Sequence, residues 1–317
     1  MRYISADEMN KLVDYKVLID QMKVALSALS RGKVIVPQRI HLDSGRFKST
    51  YLFMPVLSEE LKKVAFKYVG VCSENIQRGI PAINGFVMLA DAVTGIPEMF
   101  FDGATLTAIR TGAVGGTAID LLSREDSKVM AVFGTGPQAE TQIYAALSVR
   151  EIEKIYVYYR RKEKGELFVK KIVNEVDVDV ELTNDKSMIE KADIIIAATN
   201  SKIPLFDSSN LKFRDGVHIN AIGSFKPDMQ EIDEYVYEKF DVFVDSKIGC
   251  SKESGDIIKA IKKGVIKETE VREIGELIAK GFEFNFYKAK NTIFKSVGNA
   301  AFDLYSSFYF YNLIVTK

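Results

Sequence analysis

The sequence predicts an α/β protein in which a doubly wound parallel sheet is joined to a mixed α+β domain. Three observations carry that prediction. From Ser127 onward, apolar strand-like runs recur at Val129–Phe133, Ile155–Tyr159, Val176–Leu182, Asp193–Thr199, Gly216–Ile222 and Asp241–Val244, with helical or polar segments between them. Buried runs that alternate with helices imply βαβ units and a parallel sheet. The first run leads straight into a glycine-rich turn, Gly134-Thr135-Gly136-Pro137-Gln138-Ala139, and then a helix to Leu147. Upstream of Ser127 the rhythm differs, with short runs separated by tight-turn signals, as in a mixed sheet.

In chain order, Ser5 stands three residues before Glu8, a capping-box spacing that starts a helix. A longer amphipathic helix follows over Tyr15–Arg31, with Val17, Leu18, Met22, Leu26 and Leu29 on one face and Gly32 as its stop. Strand runs come next at Arg39–Leu42, Tyr51–Val56, Val64–Val71 and Phe86–Ala90, punctuated by Asp43-Ser44-Gly45 and Thr94-Gly95. Leu106–Leu122 predicts a helix although it carries Gly112, Gly115 and Gly116. Each interior glycine costs about 1 kcal/mol against alanine, so a partner helix or a bound ligand must come close to that helix. Beyond Ile293 an apolar, aromatic helix over Ala300–Leu313 returns to the first domain, and its Phe302–Tyr311 cluster reads as core or dimer packing.

A length of 317 residues fits two domains, and 47% apolar with 27% charged residues places the chain among ordinary globular proteins. Lys plus Arg (43) balance Asp plus Glu (43), which removes the broad positive field of a nucleic-acid binder. Cys72 and Cys250 are far apart and lack metal spacing; reduced thiols are expected, with a single disulfide as the alternative. His41 and His218 have no ligand-spaced partners, so neither a metal centre nor a His-activated nucleophile is expected. The opening MRYISADEMNKLV shows no secretory leader and the apolar runs are short for a membrane span, so a cytoplasmic protein is expected.

Gly134–Ala139 reads G-x-G-x-x-A with a strand before it and a helix after it, the setting in which this motif holds a dinucleotide in a Rossmann-type domain. Gly134 permits the tight turn, Gly136 lets the backbone approach a pyrophosphate, and Ala139 permits close helix–strand packing. The helix N-terminus offers N–H groups and a positive dipole end. The alternative is a glycine-rich turn that holds nothing. The second strand ends in Arg160-Arg161-Lys162, where an acid would take a free ribose 2′-OH and a cation would take a 2′-phosphate. NADP(H) is therefore favoured, with NAD(H) as the second choice; the alternative for this basic stretch is a solvated loop.

These motifs fall into a larger pattern. Ala65-Phe66-Lys67-Tyr68-Val69, then Asn75 and Arg78-Gly79-Ile80-Pro81, resemble the substrate-lysine region of ornithine cyclodeaminases. Thr107-Ala108-Ile109-Arg110-Thr111 resembles their T-x-x-R-T helix, and Asn220-Ala221-Ile222-Gly223 and Ser296-Val297-Gly298 resemble two further cofactor-side segments. Five motifs in order over the whole chain resemble the ornithine cyclodeaminase/mu-crystallin family. That resemblance implies Arg39, Lys67, Asn75 and Arg110 as the substrate shell, with Lys67 catalytic. It implies Thr111, Gly134, Thr135, Gly136, Pro137, Gln138, Ala139, Thr199, Ile222, Ser296, Val297 and Gly298 as cofactor contacts, joined by Arg160 and Arg161. It also implies a homodimer built through a substrate domain, residues 1–118 completed by 294–317, beside a dinucleotide domain, residues 119–293. The chemistry agrees independently: Arg binds a carboxylate as a bidentate pair, and a Lys beside an imine can deliver a proton. Taken singly, Lys67 could be an edge-strand charge and Arg110 a helix-surface charge.

Two positions depart from the ornithine enzymes. Phe225, within Gly223-Ser224-Phe225-Lys226-Pro227-Asp228, stands where they carry an amine-contacting Asp. Leu52, before Phe53-Met54-Pro55, stands where they carry an acid for the side-chain amine. The pattern resembles the ketimine-reductase relatives instead. The expected activity is NAD(P)H-dependent reduction of a small cyclic imino acid. The alternatives are an ornithine cyclodeaminase, an alanine dehydrogenase-like enzyme, or a crystallin-like protein that binds NADP and a small ligand without turnover.

Overall fold

A computed structural model of the chain describes residues 1–315. It divides into two compact units, residues 1–110 with the chain from Asn299 onward, and Thr111–Gly298. The expected divisions, at 118/119 and 293/294, are thus displaced to 110/111 and 298/299. The second shift has a clear cause: Thr292–Lys295 is a strand of the parallel sheet, so the chain stays with that sheet until Gly298.

The first unit is built on a six-stranded sheet in the order β1-β6-β5-β4-β3-β2. The strands are β1 (Arg2–Ile4), β2 (Ile40–Ser44), β3 (Ser49–Ser58), β4 (Lys63–Cys72), β5 (Ile83–Asp91) and β6 (Pro97–Asp102). Neighbours from β2 to β6 are antiparallel and β1 joins β6 in parallel. The sequence pattern missed β1 and β6; β6 opens on a proline after the Asp91–Gly95 turn, which hides its start. Helix α1 (Ala6–Leu12) begins where Ser5 Oγ accepts the Glu8 N–H, and α2 (Tyr15–Ser30) begins where Asp14 accepts the Val17 N–H. Gly32, at φ +64°, ends α2 as expected. Helix α3 (Gly103–Leu122) follows β6, and α11 (Ala300–Val315) packs against α2 and strands β3, β4 and β5.

Alternation over residues 63–68 of β4 separates two faces. Lys63, Ala65 and Lys67 are buried, whereas Val64, Phe66 and Tyr68 are only half-buried. On the half-buried face Tyr51, Phe53, Phe66, Tyr68, Phe86 and Phe100 form one continuous run of ring contacts across four strands.

The second unit carries an eight-stranded, wholly parallel sheet in the order β13-β12-β14-β11-β10-β7-β8-β9. The strands are β7 (Val129–Phe133), β8 (Lys154–Tyr158), β9 (Asp179–Thr183), β10 (Ile194–Ala197), β11 (His218–Ala221), β12 (Asp241–Val244), β13 (Arg272–Glu273) and β14 (Thr292–Lys295). The six expected strands are all present, and β14 inserts between β11 and β12. The helices of this unit are α4 (Pro137–Leu147), α5 (Lys162–Glu175), α6 (Glu234–Lys239), α7 (Lys247–Glu253), α8 (Gly255–Lys262), α9 (Ile274–Ala279) and α10 (Asn285–Lys288).

The glycines of α3 have a local explanation. A Cβ on Gly112 would lie 2.6 Å from the Thr141 carbonyl oxygen, and one on Gly115 would lie 2.0 Å from Gln142 Oε1. The partner is helix α4 of the same chain. A buried polar chain then ties the layers together. Gln142 Nε2 donates to the Thr111 carbonyl, and Asn220 Nδ2 donates to Gln142 Oε1 and the Gly115 carbonyl. His218 bridges Asn220 Oδ1 and Thr292 Oγ1, and burial depresses its pKa to about 4.

Candidate active site

In the first unit three charged side chains converge from three elements. Lys67 projects from β4, Arg110 from α3 and Asp303 from α11; they are 4%, 6% and 1% exposed. Asp303 Oδ2 lies 2.7 Å from Lys67 Nζ, and Asp303 Oδ1 accepts Arg110 Nε at 3.1 Å. Charges are buried at such a cost that they must be paired. Here two cations share one carboxylate, so the cluster keeps an excess positive charge where water is scarce. Burial lowers the Lys67 pKa to about 8, Asp303 opposes that shift, and Arg110 and Arg39 add to it. Half-buried Arg39, just before β2, is therefore near enough to act on Lys67. Asn75 stands apart in its hydrogen bonding: its Nδ2 donates to the Pro81 carbonyl and braces the 75–81 turn.

The second unit presents the glycine-rich loop expected to hold a nucleotide. Gly134 takes φ +125°, and a Cβ there would meet the Ala198 carbonyl oxygen at 2.5 Å. No other residue fits that turn. Gly136 caps α4 without a side-chain hydrogen bond and Pro137 follows at the first helical position. A Cβ on Gly136 would meet nothing within 4 Å, so the approach to this helix end is open. Ala139 is fully buried against the loop. Thr135 is half-buried, and Thr111 is buried with its carbonyl taken by Gln142. Gln138 Oε1 and Ser224 Oγ are buried polar atoms without a hydrogen-bond partner among the described residues. An uncapped helix end and an open glycine fit a phosphate-bearing dinucleotide. Arg160 and Arg161 lie beyond the end of β8 and are exposed.

The remaining residues expected on the cofactor side sit at the carboxyl ends of β10, β11 and β14, and sequence reasoning missed what holds them. Glu231 Oε1 accepts both the N–H and the hydroxyl of Thr199, and Glu231 Oε2 accepts the Ser224 N–H. This carboxylate fixes the loop that follows Ile222. Asp245 Oδ2 accepts Ser296 Oγ and the N–H groups of Val297 and Gly298. Behind them, Asp256 Oδ1 accepts the Glu231 and Ile232 N–H groups. The signal available was polarity in buried runs: Asp245 follows an apolar strand and Lys295 ends one. Asp303 was missed for the same reason, being a single carboxylate in a helix read as apolar packing.

A family model matches residues 3–317, that of the ornithine cyclodeaminase/mu-crystallin family. The chain belongs to this family. Among family relatives, a Δ1-pyrroline-2-carboxylate reductase of Bacillus cereus is 36% identical over 320 residues, covering 100% of this chain and 98% of the relative. A solved Δ1-pyrroline-2-carboxylate reductase of Thermococcus litoralis, in complex with NADH and L-proline, superposes with a TM-score of 0.91 at 33% identity, covering 100% of this chain and 98% of that one. An archaeal alanine dehydrogenase dimer with bound NAD gives a TM-score of 0.87 at 26% identity, covering 99% of this chain and 96% of that one. At the two positions that depart from the family's ornithine enzymes, Leu52 is half-buried on β3 and Phe225 is 47% exposed in the second unit. Asp228 does not replace a carboxylate at Phe225, because it lies in an exposed ion pair with Lys202, 2.7 Å away.

Proposed function

We propose that this chain is an NAD(P)H-dependent reductase of small cyclic imino acids, converting Δ1-pyrroline-2-carboxylate to proline or acting on the six-membered homologue. The observation that carries this reading is the buried Lys67–Asp303–Arg110 cluster with its excess positive charge. The substrate brings one carboxylate and one imine nitrogen. Arg110 engages Asp303 through Nε, which leaves the terminal nitrogens with the fork geometry a carboxylate takes. Arg39 supplies further positive charge. Lys67 donates a proton to the ring nitrogen as the imine carbon becomes tetrahedral. A reduced nicotinamide cofactor, when bound, would supply the hydride for that carbon. Gly134 to Ala139, Thr111, Thr199, Ile222 and Ser296 to Gly298 would hold it. Neither Leu52 nor Phe225 is a carboxylate, so neither position offers a partner for a second amine, whose unpaired burial would be costly.

Arg160 and Arg161 favour NADP(H), with NAD(H) as the alternative. The first unit serves substrate binding and dimerisation and the second serves the dinucleotide, in a cytoplasmic homodimer. The half-buried aromatic sheet face supports a second copy as its occupant, since an apolar surface of that extent is unfavourable in water. The deciding experiment offers the purified protein the cyclic imine with NADPH and with NADH, and separately ornithine with NAD+. Net oxidation of the reduced cofactor in step with imine loss is expected. Ammonia release from ornithine without net change in cofactor would replace this reading with the lyase. Sedimentation of a monomer at micromolar concentration would remove the dimer.

A further inference from the structure

Asp303 is surrounded along α11 by Phe302, Leu304 and Tyr305, all buried, and both its oxygens meet cations from other elements. An aspartate amid such neighbours is stable only because those cations face it. Three groups act on Lys67 from the elements around it: Asp303 from α11, Arg110 from α3 and Arg39 from the segment before β2. Two of them are positive and repel the ammonium. We propose that Asp303 is the positioning residue of the reaction, anchoring the Lys67 ammonium and the Nε edge of Arg110 together so that one cation delivers a proton while the other holds the carboxylate. The inference rests on the reductase reading above.

The balance of charges explains why such an anchor is needed. In the step, the C=N bond is reduced by a hydride at carbon and a proton at nitrogen, and the nicotinamide is oxidised. The proton leaves Lys67 Nζ, which becomes a neutral amine and is reprotonated from water. Lys67 can act only if it enters protonated. Burial and the two arginines favour the neutral amine, and Asp303 opposes them. Without that carboxylate the midpoint falls below its value of about 8, so the proton is missing over more of the neutral range.

The test follows Lys67 directly, by NMR of protein carrying ε-13C-lysine, with the signal assigned by its loss in Lys67→Met. The midpoint is expected to fall by about one unit or more in Asp303→Asn and Asp303→Ser. The alkaline limb of kcat/KM for the cyclic imine is expected to move to lower pH by the same amount. A merely structural role would lower stability or rate and leave both midpoints in place; an unmoved Lys67 midpoint in either folded variant overturns the proposal. Asp303→Glu guards against variants that do not fold. It keeps the midpoint near the native value and loses turnover, because the longer side chain displaces both cations; native turnover in Asp303→Glu also overturns the proposal. The NMR titration uses no substrate. A midpoint that depends on Asp303 in a protein without imine turnover is therefore a failure of the reductase reading alone.

Discussion

Lys295 Nζ lies 3.3 Å from Asp256 Oδ2, and both side chains are fully buried at the carboxyl end of β14. Asp256 in turn holds the main chain at Glu231, whose own carboxyl pKa is raised chiefly by burial, with Lys295 pulling it down and Asp256 pushing it up. One lysine thus serves two buried carboxyls. Lys295→Met is expected to cost about 3–5 kcal/mol, because it strands those carboxyls in a dry site. Adding Asp256→Asn should recover part of the loss. Denaturant unfolding of the single and double variants measures both terms; strict additivity would show that the pair is not coupled.

Arg160 and Arg161 are expected to discriminate between the two nicotinamide cofactors. Replacing both with alanine should weaken NADPH far more than NADH, since a 2′-phosphate loses its charged partners and a 2′-OH loses little. Titration of each cofactor by its fluorescence on binding gives the two Kd values. Equal affinity of the unaltered protein for NADPH and NADH would remove the argument for a phosphate site. Arg160 should account for the larger share, because it stands nearer the end of β8.

Legibility in the sequence followed the range of the interaction. β7 and β12 matched the expected runs residue for residue, because a buried parallel strand is a local apolar pattern. The nucleotide loop was also local: Gly134 declares a turn that Gly alone can make. β14 (Thr292–Lys295) was missed, and its place between β11 and β12, far from its neighbours in sequence, depends on the whole sheet. Asp303 and Arg110 are 193 residues apart, and nothing local in α11 points to a partner on α3. Lys67 and Arg110 could be named in advance as candidates, but the carboxylate that joins them could not.

Arg110→Met should weaken binding of a substrate carboxylate by about 2–5 kcal/mol, the loss expected when one partner of a desolvated charge pair is removed. Arg110→Lys should recover little of it, since an ammonium cannot serve Asp303 and a carboxylate through one planar fork. Arg39→Met should have a smaller effect, because that side chain is only half-buried. Binding of L-proline as the product, followed by calorimetry, separates these losses from any effect on turnover. Normal affinity in Arg110→Met would show that this side of α3 does not meet the ligand.

The buried histidine sets a pH dependence of stability. His218 is wholly buried between Asn220 and Thr292, and burial holds its pKa at about 4 in the fold. In the unfolded chain an imidazole titrates near ~6.5. The folded-state value is the lower one, so the contribution is fully present above about pH 6.5 and is lost as pH falls toward 4. Over that window the unfolded chain takes up a proton that the folded chain refuses, which amounts to about 3 kcal/mol. His218→Gln removes the titration. The stability difference between native protein and variant should therefore shrink by about 3 kcal/mol between pH 7 and pH 4, because only the native protein loses this term on acidification. Chemical unfolding of both proteins across that range measures it, and common carboxylate effects cancel in the difference. A difference that stays constant with pH would mean that His218 takes up its proton inside the fold as readily as outside it.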